Sequence, residues 1–313
     1  MSPKESTMSN IPKTMSDAAL CQTKMEPVEE KLFTTGLLNP LFFLVAYLWL
    51  LKYMWDDLER DVMQYPNTTP YQDYDPFKRV WWSGPIFFTI LYLFVVKFGQ
   101  EFMKNRDVYQ IEQYKLVYNS YQCIHNLLIV VAFIYEIYTD SHYVAPWGNK
   151  PQTIRQGFYI GRLVWVHYNN KYVELLDTLW MILKKKDKQI SVLHCYHHVL
   201  LIWAWFFVCK IEAGGDCYFG ATVNSFIHVI MYAYYTSAML KIPCPWKRWI
   251  TNCQMIQFMA CLCHSIYVVI KGNMPIALPL VQAFVMINML ILFGQFYRES
   301  YLKKGSTKSS KKE

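Results

Sequence analysis

Apolar residues in this chain gather into runs of about 20, each set off by a short charged stretch, and this spacing constrains the fold more than any other feature. About 20 apolar residues is the length a helix needs to cross the hydrocarbon core of a bilayer. Lipid offers no hydrogen-bonding partner, so every backbone amide must be satisfied inside its own segment. The runs therefore predict helices, and the chain an all-α membrane protein. Eight segments stand out, at approximately 37–55, 80–99, 116–138, 161–183, 189–209, 218–240, 248–270 and 275–297. The first is the weakest, because its uninterrupted apolar stretch runs only from Leu41 to Leu51. That length suits either a span or a helix lying along the interface.

The formal net charge is +8. In a soluble protein such a balance points to nucleic acid; beside membrane spans it reads as topology and attraction for anionic head groups or substrates. Lys184, Lys185, Lys186 and Lys188 join the fourth and fifth segments, and Lys241, Lys247 and Arg248 join the sixth and seventh. The C-terminal tail adds Arg298, Lys303, Lys304, Lys308, Lys311 and Lys312. These stretches share one side by alternation, which the positive-inside rule makes the cytosol. If the first segment also spans, residues 56–79 face the lumen with the sequon Asn67-Thr68-Thr69.

Residues 1–35 are polar and mixed in charge, without a signal peptide's basic-then-apolar order, and read as a disordered tail. Residues 36–79 hold the weak segment and its loop, 80–300 the main membrane domain, and 301–313 a basic tail. The nine cysteines are odd in number, fall mostly in apolar runs and form no CxxC pair. Neither a disulfide framework nor a structural zinc site is expected from them.

A charged or strongly polar group inside a span is costly, so it faces a cavity or a partner. Four consecutive segments carry such groups. The fourth has Lys171, Glu174, Asp177 and Thr178, at spacings of three and four that place neighbours on adjoining parts of a helix. Lys171 and Glu174 fit a functional pair or a structural ion pair. The fifth has His194, His197 and His198 on one helical face. The sixth has Asn224 and His228, with Tyr232 one turn further and Met231, Tyr234 and Tyr235 beside it. The seventh offers Thr251, Gln254 and Gln257, which suit a site or plain interhelical hydrogen bonding. At 1.5 Å per residue, Asp177 lies about 9 Å from the cytosolic end of its span, His197 about 12 Å, His228 about 18 Å and Gln257 about 14 Å. Comparable depth on four helices describes one pocket, reachable from the cytosol.

The HxxHH spacing is ligand-like, and membrane di-iron desaturases use it. Those enzymes need three histidine boxes, whereas His125, His142, His167 and His264 are scattered singly here. A multi-span lipid transporter or receptor is the other class, and it gives no reason for three clustered histidines opposite Asn-His and Gln partners.

Taken in order, Lys171-X-X-Glu174-X-X-Asp177-Thr178, His194-Cys195-Tyr196-His197-His198, Asn224-X-X-X-His228-X-X-Met231-Tyr232-X-Tyr234-Tyr235 and Thr251-X-X-Gln254-X-X-Gln257 resemble the four motifs of the ELO family of fatty acid elongases. The likeness covers roughly residues 80–300. It implies seven transmembrane helices, six of them forming a barrel around an acyl tunnel, with 37–55 as an extra segment. It also implies a very-long-chain 3-oxoacyl-CoA synthase of the endoplasmic reticulum. Such an enzyme condenses acyl-CoA with malonyl-CoA and releases carbon dioxide and CoA, with no metal or redox cofactor.

By position in the family motif the nucleophile is His197 and its partner His228, with His194 and His198 orienting imidazoles or moving protons. Lys171, Glu174, Asp177, Thr178 and Tyr232 would support them. Asn224, Gln254 and Gln257 would donate to the thioester oxygen or the malonyl enolate. Lys184, Lys185, Lys186, Lys188, Lys247 and Arg248 are candidates for the CoA phosphates. Cys195 sits about 100° around the helix from His194 and reads as packing. Gln189 and the stretch with Gly214-Gly215-Asp216 resemble polyunsaturated, particularly protist, elongases. The ketoreductase, dehydratase and enoyl reductase of the elongation cycle are implied partners, besides the bilayer and the two CoA esters. Nucleic acid is not, and an oligomer is compatible with the family. The terminus Ser310-Lys311-Lys312-Glu313 is only near a dilysine signal, so residence rests on the resemblance.

Overall fold

A computed structural model of the chain describes residues 82–139, 146–151 and 158–298, together with Val45, Trp49 and Lys52. The expected tail at 1–35, nearly all of the segment at 37–55, the sequon at Asn67, His142 and the tail 301–313 lie outside these residues, as does the Arg248 side chain. The chain divides into the units Met1–Trp49 and Leu50–Glu313. In the first, Val45 and Trp49 are helical and exposed. Lys52 and all later described residues belong to the second.

Its described elements are all helical. They are α1 (Ser83–Met103), α2 (Glu112–Thr139), α3 (Phe158–Val173), α4 (Leu176–Leu183), α5 (Val192–Ile211), α6 (Cys217–Met239), α7 (Ile250–Lys271) and α8 (Ala277–Tyr297). Short 3₁₀ turns at Asp187–Gln189 and Pro245–Trp249 precede α5 and α7. Five helices, α1, α2, α5, α7 and α8, are long and apolar enough to cross a membrane. With 23 residues α6 has the length, but Asn224, Ser225, His228 and its tyrosines dilute its apolarity.

The fourth apolar run departs from the expected single helix. It is α3 followed by α4, with Glu174 and Leu175 in a turn between them. There the ladder tightens from four residues to three: Asp177 N donates to Glu174 O at 3.1 Å and Thr178 N to Leu175 O at 3.2 Å. The polar motif stands at this break, where regular helical bonding yields to side-chain demands.

Packing relations run in a ring. Helix α2 packs on α6, α6 on α7, α7 on α8, α8 on α5, α5 on α3, and α3 back on α2. Helix α1 lies against α4 and α5, tied to α5 by the Trp203 indole N–H on Thr89 Oγ1 at 3.1 Å. One apolar cluster, with Phe133, Ile160, Val164 and Phe206, joins α2, α3, α5 and α6; another, with Leu201, Phe258 and Met289, joins α5, α7 and α8. Outside, the polarity of a soluble protein is reversed. Phe87, Ile90, Phe94, Leu128, Ile256 and Ile270 are exposed, while Gln122, Asn126, His167 and Lys171 are buried. That is the distribution expected when hydrocarbon is the solvent.

Candidate active site

The break between α3 and α4 sets the geometry. Because Asp177 N turns to Glu174 O, Val173 O loses its helical partner and accepts from the Tyr118 hydroxyl at 3.5 Å. Beside it, Lys171 Nζ donates to Glu174 Oε1 and to Asn224 Oδ1, each at 2.8 Å. Asn170 Nδ2 donates to the same Glu174 oxygen at 3.1 Å, and behind it to Gln122 Oε1 at 2.9 Å. His228 Nδ1 lies 3.2 Å from Glu174 Oε1, off the line of a regular hydrogen bond. Lys171 and Glu174 are each 1% exposed, and a pair so deeply buried persists only with added bonds of this kind. The pair is an internal ion bridge whose carboxylate also stands beside His228.

A cavity of about 280 Å³ opens in front of this cluster. It is lined from α5 by His194, His197 and His198, from α6 by Asn224, His228 and Tyr232, and from α7 by Gln254 and Gln257. Glu174 and Asp177 add to its polar lining, and Phe258, Phe293 and Phe296 add apolar surface. Ser191 accepts from His194 N at 3.2 Å as the N-cap of α5, which fixes the first turn of the histidine face. His197 Nδ1 lies 3.2 Å from Met289 Sδ, and a thioether can only accept. A hydrogen bond across this contact requires the proton on Nδ1, which leaves the lone pair on Nε2. Lys171 has only protons to give, so Asn224 must turn its Oδ1 to it and present its NH₂ elsewhere. Tyr232 donates to Asp177 Oδ2 at 2.6 Å, and Thr178 Oγ1 lies 2.8 Å from His194 Nε2.

A second, narrower cavity of about 70 Å³ shares Asn224 and Gln257 with the first and is mostly apolar, with Leu201, Trp205, Val285 and Met286 in its wall. It runs to Asp216 and Met274. The buried Asp216 carboxylate accepts from Gly148 N at 3.0 Å, Asn149 N at 2.9 Å and Asn273 Nδ2 at 3.1 Å. Three connecting loops are thereby knotted over that end. At Gly215, φ is +58°, and a Cβ would stand 2.6 Å from the Met274 sulfur and 2.8 Å from Pro151 N.

The other expected residues are placed differently. Lys171 and Thr178 stand behind the cavity wall. Lys184 is tied to Glu112 and to Tyr109 O, Lys185 donates to Lys104 O at 3.1 Å, and Lys247 lies 5.4 Å from the Tyr234 ring centre. Lys186, Lys188 and Gln189 are exposed on the turn that leads into α5. Cys195 does not line the cavity. Among the described residues no three His, Cys, Asp or Glu side chains form a metal-ligand set. The sequence did not single out Tyr92, Tyr118, Gln122, Asn170 or Met289, and gave Asp216 no anchoring role. The signal available was Asn119, Gln122 and Asn126, polar at helical spacing within the run 116–138.

The family model for ELO, the GNS1/SUR4 family, matches residues 78–309. The chain belongs to the ELO family. It is 36% identical over 247 residues to "Very long chain fatty acid elongase 5" of Xenopus tropicalis, covering 75% of this chain and 82% of that protein. Proteins of the same name from Rattus norvegicus, at 34% over 230 residues, and Homo sapiens, at 32% over 224, cover 70% of the chain and 74% and 75% of their own lengths. As an ELO protein with five helices fit to cross a bilayer, the chain is a membrane enzyme of fatty acid elongation.

Proposed function

We infer that the chain is a 3-oxoacyl-CoA synthase that condenses a long-chain, preferentially polyunsaturated, acyl-CoA with malonyl-CoA through an acyl-histidine. The observation that carries this reading is the contact of His197 Nδ1 with the Met289 sulfur at 3.2 Å. With its proton on Nδ1, toward the Met289 sulfur, His197 has the Nε2 lone pair as nucleophile in a cavity that shares Asn224 and Gln257 with a mostly apolar one.

In the first half-reaction Nε2 attacks the thioester carbonyl, the carbon–sulfur bond breaks, and CoA leaves as thiolate while His197 becomes acylated. Loss of the Nδ1 proton gives the neutral acyl-imidazole, and that proton is available to the thiolate. In the second, malonyl-CoA loses carbon dioxide, and the electron pair of the broken carbon–carbon bond forms an enolate. The enolate carbon attacks the acyl carbonyl and the imidazole leaves. One proton is taken up overall, and the products are 3-oxoacyl-CoA, carbon dioxide and CoA. The carboxylate oxygen beside His228 Nδ1 favours a proton there, so Nε2 of His228 serves as the base next to the nucleophile. Asn224, its oxygen held by Lys171, has its NH₂ for the developing oxyanion, and Gln254 and Gln257 add further amides.

No metal or redox cofactor enters this scheme. Lys186 and Lys188, exposed beside α5, are the CoA phosphate contacts this reading prefers over the tethered Lys184 and Lys185. The enzyme is placed in the endoplasmic reticulum membrane with its C-terminus in the cytosol, handing its product to the ketoreductase, dehydratase and enoyl reductase.

The test is an acyl-transfer assay on purified protein with saturated and polyunsaturated C18 and C20 acyl-CoAs, with and without malonyl-CoA. Product is followed by mass spectrometry. Wild type and Cys195→Ala are expected to make 3-oxoacyl-CoA, with His197→Ala reduced at least about 100-fold. Without malonyl-CoA, intact wild-type protein gains the mass of one acyl group. Loss of activity in Cys195→Ala alone would move the nucleophile to sulfur. A folded wild type inactive on every chain would defeat the reading.

A further inference from the structure

Helix α1 stands outside the ring of helices, and most of its surface is apolar and exposed, as with Leu91 and Leu93 on either side of Tyr92. Tyr92 itself is 4% exposed. A phenol buried at a helix contact in an apolar medium must find a partner, and this one reaches across two helices. Its hydroxyl lies 2.9 Å from Thr178 Oγ1 on α4, and the same Thr178 oxygen lies 2.8 Å from His194 Nε2 on α5.

We propose that Tyr92 is a positioning residue for His194, acting through Thr178 to hold the imidazole proton on Nδ1. A phenol is a stronger acid and a poorer acceptor than an aliphatic alcohol, so Tyr92 donates to Thr178. The Thr178 hydroxyl, its lone pair engaged, turns its own proton to His194 Nε2. A nitrogen that accepts carries no proton, and a neutral imidazole then bears it on the other nitrogen. The Cys195 thiol also approaches Tyr92, but sulfur is the weaker acceptor. His194 lines the cavity and packs ring to ring on His198 at 4.6 Å, so its tautomer decides whether it offers the site an N–H or a lone pair. Helix α1 thus contributes to the site from outside the ring, through one hydroxyl.

The kinetic part of the test rests on the condensing reading above; the spectroscopic part does not. In [¹⁵N]histidine-labelled protein, with His194 assigned by its loss in His194→Gln, the wild type should show a protonated Nδ1 and an unprotonated Nε2. Tyr92→Phe should shift that resonance pair toward the other tautomer. A protonated Nε2 in the wild type, or an unchanged pattern in Tyr92→Phe, would overturn the proposal. In the condensation assay Tyr92→Phe and Thr178→Val should each lower kcat about tenfold with KM for acyl-CoA unmoved, and Thr178→Ser should keep wild-type kcat. Because the two act in one chain, Tyr92→Phe with Thr178→Val should be no slower than Thr178→Val alone. Losses that multiply, or a Tyr92→Phe enzyme of full kcat, would also overturn it. Should Thr178→Val not fold, Tyr92→Phe and Thr178→Ser decide the matter. A wild type that does not condense would defeat the function proposed above while leaving the spectroscopic result to judge this one.

Discussion

At the scale of single residues the site is organised by what each buried polar group can and cannot do. Lys171 has no acceptor, Met289 has no donor, and Glu174 in its ionised form has only lone pairs. Each therefore constrains a neighbour: the Asn224 amide, the His197 imidazole and the His228 imidazole. The ion pair gives a sharp prediction. Lys171→Met leaves the Glu174 carboxylate buried without its cation and should cost about 3–5 kcal/mol, read by denaturation in detergent. Adding Glu174→Gln removes the stranded charge and should restore much of that stability. Activity should stay lost in the double variant, because His228 no longer faces a carboxylate.

At the scale of elements, helix ends and breaks carry the chemistry. The turn at Glu174–Leu175 frees Val173 O for Tyr118 and separates two groups of the motif, so that Lys171 and Glu174 serve α6 while Thr178 serves α5. Two glycines with left-handed backbone separate the cost of conformation from the cost of space. Gly272 closes α7 at φ +62°, its N–H on Val268 O, and a Cβ there would meet nothing within 4 Å. Gly272→Ala should cost about 1 kcal/mol, from backbone alone. Gly215→Ala adds a collision with the backbone nitrogen of Pro151 and the sulfur of Met274, and should lower the melting temperature distinctly more.

At the scale of the whole molecule, the polar interior and apolar exterior are one design. Apolar helices give no net attraction to one another in lipid, so packing and internal polar contacts must hold the ring closed. Polar contacts concentrate at two levels, the histidine cavity and the knot at Asp216. The knot joins the α5–α6 connection, the α7–α8 connection and residues 146–151. Asp216→Ala removes several charge-assisted bonds of about 1.5–3 kcal/mol each. It should lower thermal stability and make 146–151 the first site of limited proteolysis, since those residues lose their anchor.

How much of this was legible in the sequence divides by the range of the interaction. Seven of the eight apolar runs became the described helical segments, 80–99 appearing as Ser83–Met103 and 218–240 as Cys217–Met239, because the demand for internal backbone bonding in lipid acts segment by segment. The polar motifs were legible for the same reason: a histidine or carboxylate in an apolar run stands out against its local cost. The kink inside 161–183 was not, since the three- and four-residue spacing of its polar groups reads as an unbroken helix, and nothing local shows that Val173 O takes the Tyr118 hydroxyl of α2 as its partner. Nor was the tethering of Lys184 to Glu112, 72 residues away, or the reach of Tyr92 to Thr178 across 86. The sequence by itself determined which segments are helices apolar enough for lipid and which side chains are too polar to face it. Only the tertiary structure decided which atoms of those side chains meet, because a proton's place on an imidazole depends on a partner that another helix brings.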